Sequence, residues 1–473
     1  MLYDTVQSTE SFSDRLAMVT TTSSCTWGEL SLMASQCRGS LASFSGRRVG
    51  LIMLREPATI AGLAASQRVG INLFLLDGQA KQEVLQQWVD EFSLAAVVRA
   101  DSSNALVVEP TTHTSATVSE TGVTILTSGT EGRPKAARHR WDGLMRPIRR
   151  TDDTRPQRWS LSFRLHLYAG MQVTLQCLVN HGTLVMPDAR ASPDEVVTMM
   201  RNHQVQYASA TPSYWRRLVL SADRDVLASV PLRQITLGGE AVDQPILDAL
   251  AGLFPQARIA HIYASTELGR CFSVTDRKAG FPASLLEGPT ADGVEMRIKN
   301  GELWVRSANR MDGYVDAGNP GEPAWAGQGR AGEGRANGDG ANQDGALNDP
   351  SGDGDWIATG DLLHQDGNRL FFAGRQTEMI NVGGMKISPL AVEQVIRSVP
   401  GVADARVYAK SSSIAGQLVA CDLVLEDDAN IEQVKQDVAL ASQDELAAAA
   451  HPRLVRIVDT IDLTAASKVS RME

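Results

Sequence analysis

The chain has 473 residues, 43% of them hydrophobic, and a formal net charge of −10. That length predicts two or more domains, and the apolar share excludes a disordered protein. The acidity argues against a nucleic-acid-binding protein as a whole, because neutralising phosphates takes a basic surface.

The first residues include acidic side chains and no apolar core, so a secretory signal is not expected. No uncharged apolar run approaches the about 18 residues of a membrane span. Cys25, Cys37, Cys177, Cys271 and Cys421 show neither C-x-x-C nor metal-ligand spacing, so they read as reduced thiols of a cytoplasmic protein.

Residues 49–54 read as a buried strand, 58–69 as a helix, 72–77 as a strand, 83–92 as a helix and 94–98 as a strand. That alternation predicts an α/β fold with mostly parallel sheets. After the apolar run 123–126 comes Thr127-Ser-Gly-Thr-Glu-Gly-Arg-Pro-Lys135. Its glycines let backbone approach a ligand closely, its hydroxyls and N–H groups suit phosphate oxygens, and Arg133 and Lys135 add positive charge. It is not a Walker loop, since its glycine and lysine are not adjacent and no Ser or Thr follows the lysine.

The strand–helix rhythm resumes over 161–262. Residues 315–354 hold eleven glycines in forty positions, with few large apolar side chains, and read as a mobile surface insertion. Beyond Gly374 the pattern becomes compact α+β. Ser388 and Pro389 form a helix start, and 405–408 and 418–425 read as strands. The predicted organisation is a large α/β domain over 1–374, containing the insertion, and a small mobile α+β domain over 375–473.

Further strings follow the phosphate-loop candidate: Leu237-Gly-Gly-Glu-Ala241, Tyr263-Ala-Ser-Thr-Glu267, Trp356-Ile-Ala-Thr-Gly-Asp361, Gly374-Arg375 through Glu393, and Thr464-Ala-Ala-Ser-Lys468. In this order, from about residue 26 to the C-terminus, they resemble the adenylate-forming superfamily of acyl- and aryl-CoA ligases, carrier-protein adenylation domains and luciferases. Taken singly, each residue has a duller explanation: Glu267 a helix cap, Asp361 a turn residue, Lys468 a solvated surface lysine. The joint order is what makes the resemblance.

The resemblance implies ATP-dependent activation of a carboxylic acid to an acyl-adenylate, then transfer to the phosphopantetheine thiol of CoA or of a carrier protein. It implies ATP, Mg²⁺ and CoA as cofactors. Thr127, Ser128, Gly129, Thr130, Gly132 and Lys135 would hold phosphates. Gly238, Gly239, Glu240 and Tyr263 would line the nucleotide and acyl site, and Asp361 with Arg375 would hold the ribose. Glu267 would bind the metal, Thr266 would contact the α-phosphate, and Lys468 would bridge the carboxylate and the α-phosphate. Thr377 would be the hinge, and residues 381–386 would swing in for the thiol step.

For the acid pocket the resemblance implies His166, Tyr168, Gly170, Ala208 and Gly238. No aspartate stands in 161–170, so an α-amino acid is disfavoured, while aryl and aliphatic acids both stay open. His166 lies four residues before Gly170, one more than in many CoA ligases. Asp462 and Ser467 replace the usual proline and glycine of the lysine motif, and Thr377 replaces the usual hinge Asp or Lys. The alternative expectation is a catalytically impaired member that binds nucleotide or acyl ligand as a regulatory or scaffold subunit.

Overall fold

The computed structural model describes residues 2–113, 121–127, 135–151, 155–315, 356–412, 416–426, 428–464 and 468–469. Residues 316–354 of the expected insertion 315–354, with Ser128, Gly129, Thr130, Gly132 and Ser467, therefore lie outside the described residues.

Two large sheets form the body. One has seven strands and runs Gly313–Tyr314, Lys135–Arg140, Gly122–Thr127, Asn72–Asp77, Arg48–Met53, Ala96–Ala100, Leu106–Pro110. Its four central strands are parallel, and antiparallel strands close both edges. The second has eight strands, with parallel pairing from Leu16–Thr20 through Thr183–Met186, Arg158–Leu161, Tyr207–Ala210 and Gln234–Gly238 to Arg258–Ser265.

These strands read as near-continuous apolar runs because both faces are covered. Val49, Leu51, Leu73, Leu75, Val123 and Ile125 are all at most 1% exposed. The helix Pro57–Val69 is buried on nearly every side, as its apolar and small residues all round require. A third sheet of five antiparallel strands includes Glu302–Arg306, Ile357–Asp366 and Arg369–Arg375.

The C-terminal part has its own core. The hairpin Val402–Ser412 with Gly416–Leu425 is covered by Pro389–Arg397 and Ile431–Glu445, around Val392, Ile396, Val407, Leu423, Val434 and Val438. Ser388 caps the first of these helices, accepting from the Ala391 N–H, with Pro389 behind it. The α/β expectation therefore holds, with a small α+β unit at the end. Most boundaries lie within three residues of expectation, though the strand expected at 405–408 runs Val402–Ser412. The strand expected at 94–98 runs Ala96–Ala100. No helix among the described residues is long and apolar enough to cross a membrane.

Candidate active site

The parallel strands deliver the candidate residues at their carboxyl ends, where open α/β sheets generally present ligand sites. Strand Gly122–Thr127 ends on Thr127, and the antiparallel Lys135–Arg140 brings the chain back with Lys135 directly opposite. The base of the predicted phosphate loop is thus a hairpin rooted in the seven-stranded sheet. Tyr263 and the turn holding Thr266 and Glu267 end the strand Arg258–Ser265 of the other sheet. Gly269 closes that turn at φ +71°, a left-handed conformation that glycine adopts without steric cost.

Tyr263, Asp361 and Arg375 form one cluster. The Tyr263 hydroxyl donates to Asp361 Oδ2 at 2.6 Å, and Arg375 Nε donates to Oδ1 at 2.7 Å. Asp361 and Arg375 face each other across adjoining antiparallel strands, so the register itself makes the pair. The Tyr263 ring stacks on Phe272 and Phe372, which holds its hydroxyl in place. Burial and the neighbouring carboxylate push the Tyr263 pKa well up, so it remains a donor. Burial works against the Arg375 charge, but Asp361, Tyr263 and Glu378 outweigh it and raise its pKa. Each oxygen of Asp361 keeps a further lone pair for an incoming hydroxyl.

Glu267 accepts from the Tyr314 hydroxyl at 2.8 Å, and Lys135 Nζ lies 5.5 Å from the centre of the same ring. Thr266 is half-buried. His139 is 1% exposed, and burial lowers its pKa to about 4 against the pull of the Thr266 backbone, so it is neutral near pH 7. Among the described residues no group of three or more acidic, histidine or cysteine side chains is built to hold a metal. A lone carboxylate such as Glu267 still fits Mg²⁺, which takes one or two carboxylates plus substrate phosphates.

The C-terminal lysine meets the same place. Gly238 ends the strand Gln234–Gly238, and Gly239 follows at φ +87°. A Cβ on Gly239 would stand 3.4 Å from Lys468 Cε. Glu240 anchors the tail: Oε1 accepts from Val469 N at 2.8 Å and Oε2 from Ser213 N at 3.1 Å. Water still reaches Lys468, yet the protein crowding its ammonium lowers its pKa. Arg375 adds to that shift, while Glu240, Glu378 and Asp361 oppose it.

The acid-pocket candidates separate. His166 is 7% exposed, with Nδ1 3.5 Å from Asp77 Oδ1, and burial lowers its pKa against that carboxylate. It lines an open cleft of about 220 Å³ at other strand ends, with Arg55, Asp77, Arg164, Met186 and Asp188. That cleft includes none of Asp361, Arg375, Glu267 or Lys468. Tyr168 instead packs against the His139 ring at 5.5 Å, 6% exposed. Gly170 is forced by packing, since a Cβ would lie 2.1 Å from the Arg164 carbonyl oxygen. Ala208 is buried on the strand Tyr207–Ala210. Thr377 sits in the exposed 3-10 turn Gln376–Glu378.

Sequence reasoning missed Tyr314. The signal available was the Gly313-Tyr314 pair just ahead of the glycine-rich stretch. It also missed a buried ion cluster joining the small unit to the body. In it, Arg216 meets Asp243 at 2.8 Å and Asp404 at 3.2 Å, and Arg397 meets Asp404 at 3.0 Å and Asp243 at 3.6 Å.

Comparison with known proteins matches residues 6–315 to the AMP-binding enzyme family and 391–468 to the AMP-binding enzyme C-terminal domain. A 2-succinylbenzoate–CoA ligase of Bacillus velezensis is 23% identical, over 89% of this chain and 87% of its own length. A fatty acid–[acyl-carrier-protein] ligase of Mycobacterium marinum is 25% identical, over 95% and 92%. In fold, the chain is similar to an anthranilate CoA ligase solved with anthranoyl-AMP. The TM-score is 0.75 and the identity 16%, over 99% of this chain and 95% of that one.

Proposed function

The chain belongs to the AMP-binding enzyme family, and from that premise we propose that it activates a carboxylic acid with ATP and passes the acyl group to a thiol. In the first step the carboxylate attacks the α-phosphorus, forming acyl-AMP and releasing pyrophosphate. In the second a phosphopantetheine thiolate of CoA or a carrier protein displaces AMP. The relatives named above include one ligase of each acceptor kind, so both acceptors stand in the proposal.

The observation that carries this reading is the docking of Lys468 on Gly239 and Glu240, within electrostatic reach of Asp361 and Arg375. A carboxylate approaching a triphosphate meets like charge, and fixed cations aimed at the transition state are the largest available remedy. Lys468 serves that role at the α-phosphate and the acid, and Lys135 with Ser128, Gly129, Thr130 and Gly132 at the departing pyrophosphate. Asp361 and Arg375 hold the ribose, and Thr266 contacts the α-phosphate. Mg²⁺, when bound at Glu267, supplies further charge neutralisation at the phosphates.

The body 1–374 and the lid 375–473 act as two units in this reading, with rotation at Thr377. The exposed hairpin of Ile380–Val382 and Met385–Ile387 then reaches the site for the thiol step. The acid is aryl or aliphatic and lacks an α-ammonium group, and the enzyme works in the cytoplasm.

The test is acid-dependent ATP–pyrophosphate exchange across an acid library, with hydroxylamine trapping to identify the adenylate by mass. Exchange with at least one acid, abolished by Lys468→Ala, is expected. ATP binding without exchange on any acid would favour the regulatory or scaffold alternative.

A further inference from the structure

Resting on the proposed adenylation chemistry, we infer that Tyr314 is a positioning residue that joins the metal carboxylate to the phosphate loop. Residues 311–315 run as a strap between the two large sheets. On one side, Gly313–Tyr314 pairs antiparallel with Lys135–Arg140, opposite Arg138 and Ala137, and Val315 N donates to Ala136 O at 2.8 Å. On the other side, Met311 N donates to Glu267 O at 2.9 Å. The strap thus fixes the backbone of Glu267 relative to the strand that leaves the phosphate loop.

The Tyr314 side chain repeats that bridge at the level of functional groups. Its hydroxyl donates to Glu267 Oε1 at 2.8 Å, and its ring lies under Lys135 Nζ at 5.5 Å. A carboxylate is acceptor-only, so committing one oxygen to a fixed phenol leaves the other with a defined direction for a cation. Partners of this kind orient metal ligands, and removing one typically weakens metal affinity by about 10- to 100-fold. The ring face, negative by its quadrupole, attracts the Lys135 ammonium independently of the hydroxyl. Two separable functions therefore reside in one side chain: the hydroxyl aims the carboxylate and the ring steers the lysine.

The experiment separates them. Mn²⁺ is titrated by electron paramagnetic resonance into full-length protein saturated with α,β-methylene-ATP, and metal-free binding of the same nucleotide is measured by calorimetry. Tyr314→Phe is expected to weaken Mn²⁺ binding by roughly tenfold with the metal-free nucleotide affinity unchanged. Tyr314→Leu is expected to weaken the metal-free nucleotide as well, by about twofold to fivefold. In a Glu267→Ala background, Tyr314→Phe should have no further effect on Mn²⁺. Matching melting temperatures exclude a folding defect as the cause.

Unchanged Mn²⁺ affinity in Tyr314→Phe, or an equal loss in the Glu267→Ala background, would overturn the role of the hydroxyl. If the unaltered chain bound neither nucleotide nor Mn²⁺–nucleotide, the adenylation reading itself would fall, and the inference with it.

Discussion

At the scale of single residues, the site is a set of charges whose strengths depend on each other. Lys468 is the clearest case. Crowding by the protein and the nearby Arg375 lower its pKa, so its ammonium is lost at a lower pH than the about 10.4 of a free lysine. Activity that needs the cation is present below the shifted pKa and disappears as pH rises through it. Pyrophosphate exchange at limiting ATP and acid, where the rate reports the free enzyme, should therefore show an alkaline limb below the usual lysine range. In Lys468→Arg, whose guanidinium stays charged, the residual rate should show no such limb. A limb that persists unchanged in the variant would assign it to another group.

At the scale of elements, glycine and a cap tie the third sheet to the small unit. Gly374 has φ +109°, and a Cβ there would lie 2.6 Å from Ser388 Oγ. That oxygen caps the helix Pro389–Arg397. Gly374→Ala thus combines backbone strain with a displaced cap, together about 2–4 kcal/mol. Thermal unfolding should show the loss as a lowered melting temperature, larger than for Ser388→Ala, which removes the cap alone. Equal effects would mean that the φ of Gly374 carries no strain of its own.

At the scale of the whole molecule, Arg216 and Asp243 of the body and Arg397 and Asp404 of the small unit form a buried cluster across the junction. Such a cluster forms only in one relative placement of the two units, here the placement that sets Lys468 on Gly239. Arg216→Leu leaves Arg397 alone against Asp243, Asp404 and Glu393, so the junction is loosened and buried negative charge goes uncompensated. Exchange should fall several-fold, about 1 kcal/mol of orientation preference, while thiol transfer from a preformed adenylate keeps its rate or gains. A parallel loss in both half-reactions would show that the cluster serves stability alone.

Much of this was legible in the chain itself. Periodicity gave the strands and helices between residues 49 and 98 to within a few positions, because strands covered on both faces must be apolar throughout, while Leu16–Thr20 and Trp27–Leu41 ahead of them went unread. Ser388-Pro389 gave a helix start, because capping is a local matter of one side chain and one turn. The ordered strings around residues 127–135, 237–241, 263–267, 356–361 and 464–468 gave the family, since each places its chemistry within a few consecutive positions. Tyr314 against Glu267, Glu240 against the backbone of Val469, and Arg216 against Asp404 were decided only by the tertiary structure. Each of those contacts joins segments far apart in the chain. A lone tyrosine, glutamate or arginine carries no pattern that names its distant partner, because packing alone sets which side chains meet.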